Sequence, residues 1–261
     1  MCKMPNEGAK DELLKIATEL YEDAFNANAY YSVMMQCREM CEKYQEEMNL
    51  SPGFYSVTYS SLEYSCFMKL ATLYESSGNV ASIKTLLNDC QKHLDLLFKE
   101  DVVSEANVDN VINKQIFKHY LKHAEECFYK DEVAKQREQL KNFGFTNWET
   151  TPVTIFLTRS ELIGLYTKRY HSLSKKAKNV RIQRNKVYAH NDKECILSGN
   201  QVWEDYPVNY LDMKELIDFA LETTISVIDM LTGTLRAENC VNIDDLEITL
   251  MRARLGLKYN E

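Results

Sequence analysis

Apolar residues recur every three or four positions along most of the chain, the spacing that gathers them on one side of an α-helix. Leu13, Leu14, Ala17, Leu20, Tyr21 and Ala24 open a helix-rich segment over about 9–48, with Asn26-Ala27-Asn28 as a point of bending. Ser51-Pro52-Gly53 is a break and restart, and Leu62, Cys66, Phe67, Leu70, Ala71 and Tyr74 form a second stripe that ends at Ser76-Ser77-Gly78. A third helix, capped by Asn79, carries Ile83, Leu86, Leu87, Cys90, Leu94 and Leu97. These three predict an antiparallel bundle.

Beyond a polar stretch near 100–108, the pattern of Val111, Ile112, Ile116, Tyr120, Leu121 and Ala124 predicts a long charged helix over about 109–142, closed by Asn142-Phe143-Gly144. Residues 145–157 are rich in aromatic side chains without a helical period, and read as a packed connection. Thr158-Arg159-Ser160-Glu161 fits a capping box, in which the first and last side chains satisfy each other's free backbone N–H groups. It opens a basic helix of some thirty residues reaching His190. After an irregular loop with Ser198-Gly199-Asn200 and Pro207, Asp212-Met213-Lys214-Glu215 offers a second capping box. The helix it opens carries Leu216, Ile217, Ala220, Thr224, Val227, Ile228 and Leu231, and a short helix over about 243–256 follows.

Composition agrees with an all-α fold of long antiparallel helices. The 261 residues are 45% hydrophobic, enough for a large core, while 8 Gly and 4 Pro are too few for the many turns of a sandwich or barrel. The expected organisation is an N-terminal helical segment (1–50) packed on a main helical domain (51–235), with a short C-terminal helix (236–261). The 8 cysteines lack any Cys-x-x-Cys pair and read as buried thiols in a reducing compartment. Met1 to Glu7 holds no apolar core of signal length, and charge interrupts every apolar run well before ~18 residues. The chain is therefore expected in the cytoplasm, with no membrane contact.

The net charge of −8 argues against a general nucleic-acid coat. Its distribution changes that view. Of 31 basic and 39 acidic residues, ten basic and two acidic fall between Arg159 and Lys193, a local excess of eight positive charges; the 21 basic and 37 acidic residues elsewhere leave −16. A charge run is ordinarily a solvated helix face. This one ends in Arg184-Asn185-Lys186-Val187-Tyr188-Ala189-His190-Asn191-Asp192.

That ending resembles the signature of the HEPN superfamily: an Arg, four to six arbitrary residues, then His, commonly with a polar residue such as Asn after the Arg. The wording Arg-Asn-Lys-x-x-Ala-His-x-Asp is most similar to the branch named after AbiU-type abortive-infection proteins of phage defence. Phe67 to Tyr74, Ser82-Ile83, Leu86-Leu87 and the helix from Leu211 to Leu231 also resemble that branch, so the likeness spans roughly 55–232. It implies a HEPN-like helical bundle, an endoribonuclease toxin acting on cellular RNA such as transfer RNA, a homodimer with the site at its interface, and an antitoxin partner. In another HEPN branch a Tyr two residues after the His is modified by a partner nucleotidyltransferase; here that position is Asp192.

The residue types suit RNA cleavage without a metal or other cofactor. The 2′-OH must attack the adjacent phosphate, a base must take its proton, and a cation must hold charge growing on the phosphorane oxygens. Imidazole titrates near neutral pH, at about 6.5, and guanidinium stays charged with a fork of donors matched to phosphate. His190 and Arg184 are the candidate catalytic pair, and HEPN ribonucleases imply 2′,3′-cyclic phosphate and 5′-hydroxyl ends. Asn185, Lys186, Asp192, Arg181 and Tyr188 are candidate substrate-binding or supporting residues. Lys186 holds a phosphate or is solvated; Tyr188 packs in the core or stacks on a base; Asp192 orients His190 or caps the helix. At 100° per residue, six positions place His190 about 120° from Arg184, on another face. Either the helix ends or distorts before His190, or two chains assemble the site.

His119, His123 and Glu126 have metal-ligand spacing without a second cluster, and read as a solvent-facing helical pair; Cys37 and Cys41 read as core neighbours. Two rivals remain open on sequence alone: a non-catalytic module that binds RNA or protein through the basic helix, and a sensor in which Arg184 and His190 hold a nucleotide phosphate.

Overall fold

The computed structural model describes residues 5–97, 116–188, 201–240 and 245–258. Helix α1 (Pro5–Lys43) runs 39 residues and is unbroken through Asn26-Ala27-Asn28. Its buried positions Leu13, Ala17, Leu20, Ala24, Ala27, Tyr31 and Met34 alternate steps of four and three, a seam suited to a long antiparallel partner. Asn28 does not disturb the helix because its side chain points away from its own backbone, donating to the carbonyl of Glu238 at 2.9 Å. A short α2 (Gln45–Met48) follows, and α3 (Pro52–Leu73) starts at its proline, where a missing N–H is harmless. Cys66, Phe67, Leu70, Ala71 and Leu73 pack the end of α3 against α1.

Helix α4 (Ile83–Lys92) begins at Ser82, not Asn79: Thr85 N–H donates to the Ser82 hydroxyl at 3.3 Å and Ser82 N–H to the Thr85 hydroxyl at 2.8 Å. It stops at Lys92, and a 3₁₀ turn (Leu94–Leu96) carries the rest of the apolar stripe.

The expected helix over 109–142 is the largest correction. From residue 116 onward the chain forms strand β1 (Ile116–Tyr120), a short α5 (His123–Glu126) and α6 (Lys130–Asn142). The connection at 145–157 likewise ends in strand β2 (Thr154–Thr158), antiparallel to β1 with Lys118 opposite Phe156. Ile155 and Leu157 are buried while Phe156 is exposed, the alternation of a half-buried strand. Helix α6 ends as anticipated at Gly144, whose φ of 78° only glycine adopts freely; Phe145 N–H closes onto the carbonyl of Leu140 at 3.1 Å.

Helix α7 (Arg159–Ser172) opens at the anticipated capping box, with Thr158 N–H donating to Glu161 Oε2 at 2.8 Å. The single basic helix is in fact α7, a joint at Leu173, α8 (Ser174–Gln183) and a π-helical turn (Arg184–Tyr188). After α9 (Gln201–Asp205), helix α10 (Tyr210–Thr232) is capped by Asn209, with Asp212 as the third-position partner. The box thus opens three residues earlier than the sequence suggested. Met213, Leu216, Ile217, Phe219, Ala220, Val227 and Ile228 bury most of its circumference at the centre of the molecule. Helix α11 (Asp245–Lys258) folds back onto the end of α1, placing Leu250 among Met40, Tyr44 and Met48.

One core cluster unites side chains from α1, α3, α4, β2, α7, α8 and α10, so the fold is helical with a two-stranded appendage. Among the described residues no helix is long and apolar enough to cross a membrane. Not all cysteines are buried: Cys41 and Cys127 are exposed, so Cys41 is not a core neighbour of Cys37. Burial pushes the thiols of Cys66 and Cys90 up to about 12, which makes them inert packing groups.

Candidate functional site: two arginines on one carboxylate

The joint residue Leu173 and, on helix α8, Ala177, Val180 and Gln183 face the core three or four residues apart, which turns Arg181 and Arg184 outward together. The connection before α10 is pinned beneath it: Asn179 Nδ2 donates to the carbonyl of Pro207 at 2.9 Å, and Gln183 Nε2 donates to the carbonyl of Tyr206. At Arg184 the backbone passes from α-helical to π-helical. A π turn widens the ladder by one residue and is frequent at functional sites. The rule of 100° per residue therefore fails inside the motif, as the first alternative for its six-residue spacing required.

The Arg184 guanidinium is held on two edges. Nε donates to Asn185 Oδ1 at 2.8 Å, and Nη2 donates to Glu75 Oε2 at 2.9 Å. Arg181 Nη1 stands 3.8 Å from the other oxygen of that carboxylate, Oε1, which also accepts the Ser76 N–H at 2.8 Å. Glu75 follows the end of α3, immediately after Tyr74, whose hydroxyl donates to the carbonyl of Leu216 at 2.7 Å and so fixes this corner of the bundle. The Ser76 N–H, followed by Arg184 and Arg181, outweighs burial and holds the Glu75 carboxyl below its ordinary range.

Glu75 is the main residue that sequence reading missed. It directly follows the stripe Phe67 to Tyr74 that carried the resemblance, yet its partner lies 109 positions away. Of the other candidates, Lys186 Nζ lies 5.9 Å from the centre of the Tyr206 ring, a cation over an aromatic face. Tyr188 closes the π turn through its backbone. The side chain of Tyr188, together with His190 and Asp192, lies outside the described residues.

The basic run itself is not one solvated face. Arg159 Nη1 donates to the carbonyl of Leu94 at 3.0 Å, and Lys176 bonds to Asp212 at 2.7 Å and to Glu215. Arg169 is buried, donating to Glu222 at 2.6 Å and Glu125 at 3.0 Å. Lys168, Lys175 and Lys178 remain exposed. His119 belongs to this second network: on β1, not a helix, it bonds Glu125 at 2.9 Å, while His123 is fully exposed. Among the described residues no group of three His, Cys, Asp or Glu side chains is arranged to hold a metal.

A family model described as AbiU2, within the HEPN proteins, matches residues 10–248. The chain belongs to the AbiU2 family of HEPN proteins. The AbiU2 match covers more than the sequence resemblance did, running from early α1 into α11. It contains Glu75, Arg181, Arg184, His190 and Asp192. No curated protein and no solved structure matches the chain.

Proposed function

We propose that this AbiU2-family protein is a metal-independent endoribonuclease of phage defence, or the toxin of a toxin-antitoxin pair, acting as a homodimer on cellular RNA. The observation that carries this reading is the arrangement at Arg184: a motif arginine at a π turn, fixed by Asn185, with a second guanidinium converging on the same anion. Two cations at one point on a surface suit a phosphodiester in transit through a phosphorane. In the proposed reaction His190 takes the proton of the 2′-OH. The 2′-oxygen bonds to phosphorus, the bond to the 5′-oxygen breaks, and that oxygen leaves as a hydroxyl with a proton from water, to which His190 returns the one it took. Arg184 holds the equatorial oxygens throughout.

Incubating the protein with total RNA in EDTA and analysing the ends tests this. Cleavage with 2′,3′-cyclic phosphate and 5′-hydroxyl ends, lowered at least about a hundredfold in Arg184→Ala and His190→Ala, is expected. Cleavage that persists in both variants, or none in the parent protein, overturns the assignment. A binding module is the second reading, favoured by the pairing of Arg184 with Glu75, which leaves the guanidinium partly neutralised.

A further inference from the structure

Arg181 and Arg184 meet a single acceptor group from two sides, and the Ser76 N–H meets it from a third. Guanidinium forks and backbone N–H groups converging on one anion describe a phosphate site. Here the anion is the protein's own. We propose, building on the ribonuclease reading, that Arg181 and Arg184 form a two-guanidinium site for an RNA backbone phosphate, and that the Glu75 carboxylate fills it in the free protein as an internal stand-in.

Three features distinguish this from an ordinary surface ion pair. First, Glu75 is not needed to orient Arg184, because Asn185 already holds the Nε edge at 2.8 Å. What the carboxylate adds is negative charge, where a ribonuclease would want positive charge uncompensated. Second, all three side chains are about four-fifths buried, at 23%, 21% and 19% exposure for Arg181, Glu75 and Arg184, so screening by salt is incomplete while an opening to solvent remains. Third, donors are left over. Arg184 uses Nε and Nη2 among the described residues, and Arg181 Nε is buried without a hydrogen-bond partner there. A backbone phosphodiester sets its two non-bridging oxygens on a wider, tetrahedral centre than the planar carboxylate, with ester oxygens beside them, and can take up such donors. RNA must then displace Glu75, so the carboxylate sets a threshold for binding and disfavours weakly charged ligands.

The test measures binding, not cleavage. A labelled single-stranded 2′-O-methyl oligoribonucleotide keeps every phosphate but blocks the attacking hydroxyl, so its affinity is read by anisotropy in EDTA at several salt concentrations. Glu75→Gln keeps the shape and removes the charge. Its Kd is expected to fall about tenfold, the scale of one charge-assisted hydrogen bond released for the ligand. The slope of log Kd against log salt is expected to steepen, because in the parent salt also screens the Arg184–Glu75 pair that competes with the phosphate. The gain must vanish when Arg184→Ala is added. Unchanged or weaker binding by Glu75→Gln, or a gain that survives Arg184→Ala, overturns the phosphate site. Should Glu75→Gln not fold, Glu75→Asp withdraws the charge by one methylene, and a smaller gain in the same direction is expected; no gain overturns it. The two readings fail separately: a tenfold gain in a protein that cuts no RNA removes the ribonuclease and leaves the phosphate site, and cutting without the gain does the reverse.

Discussion

Arg169 shows how a residue counted toward a basic surface becomes part of the core. It is only 7% exposed, lies over the Phe219 ring at 4.9 Å and holds Glu125, itself fully buried, beside Glu222. Burial alone would push the Glu125 carboxyl upward, but His119, the Lys122 N–H and Arg169 outweigh it and hold the group below its ordinary range. Removing one member of such a set strands a buried charge. Arg169→Met is therefore expected to destabilise the fold by about 3–5 kcal/mol, read as a fall in Tm of about 6–20 °C; a shift within a degree or two would show that the network adds nothing. The pH dependence has a definite sign. A carboxylate depressed in the folded state binds protons more weakly than in the unfolded chain, so its stabilisation is present above about pH 4.3 and is lost as pH falls. The urea midpoint should drop as pH falls from 5 to 3, and less steeply in Glu125→Gln.

At the level of elements, the signals that proved readable were local ones. The Thr158–Glu161 box starts α7 as its four residues imply, and the Gly144 stop ends α6 in the same way. Thr158→Ala removes the hydroxyl that accepts the Glu161 N–H, and an equilibrium unfolding series is expected to show a loss of about 1 kcal/mol with an unchanged m-value. A changed m-value would mean that the strand ending at Thr158 is disturbed as well. The strand pair was illegible for the converse reason. Ile116 to Tyr120 is five residues long, too short for its period to separate strand from helix, and its partner begins at Thr154. The candidate site divides along the same line. Arg184 and Asn185 are adjacent in sequence and were found; Glu75 and the internal role of Arg169 depend on contacts 109 and 44 positions apart. Even the long helix was misjudged only where tertiary partners act, at the Leu173 joint and the π turn beneath which Asn179 and Gln183 tie down residues 206–207.

At the level of the whole molecule, the proposed dimer has to reconcile a site built from cations with a fold that must bring two copies of it together. Setting two basic surfaces face to face opposes association, and Glu75 lessens that opposition by placing one negative charge between Arg181 and Arg184 in each copy. A site shared between the two copies has a further consequence. If Arg184 of one copy works with His190 of the other, neither single variant has a complete pair, but a mixed dimer of Arg184→Ala and His190→Ala chains has one intact site and one lacking both groups. Random mixing puts half the dimers in the mixed form, each with one site of two. Co-refolded equimolar variants should therefore recover about a quarter of the parent's RNA cleavage, while each alone stays inactive. An inert mixture whose sedimentation still shows dimers would place both groups of each site on one chain, and a fully active monomer would remove the shared site altogether. Because recovery needs no new contact and only a redistribution of chains, it separates a shared site from a merely weakened one more sharply than either substitution alone.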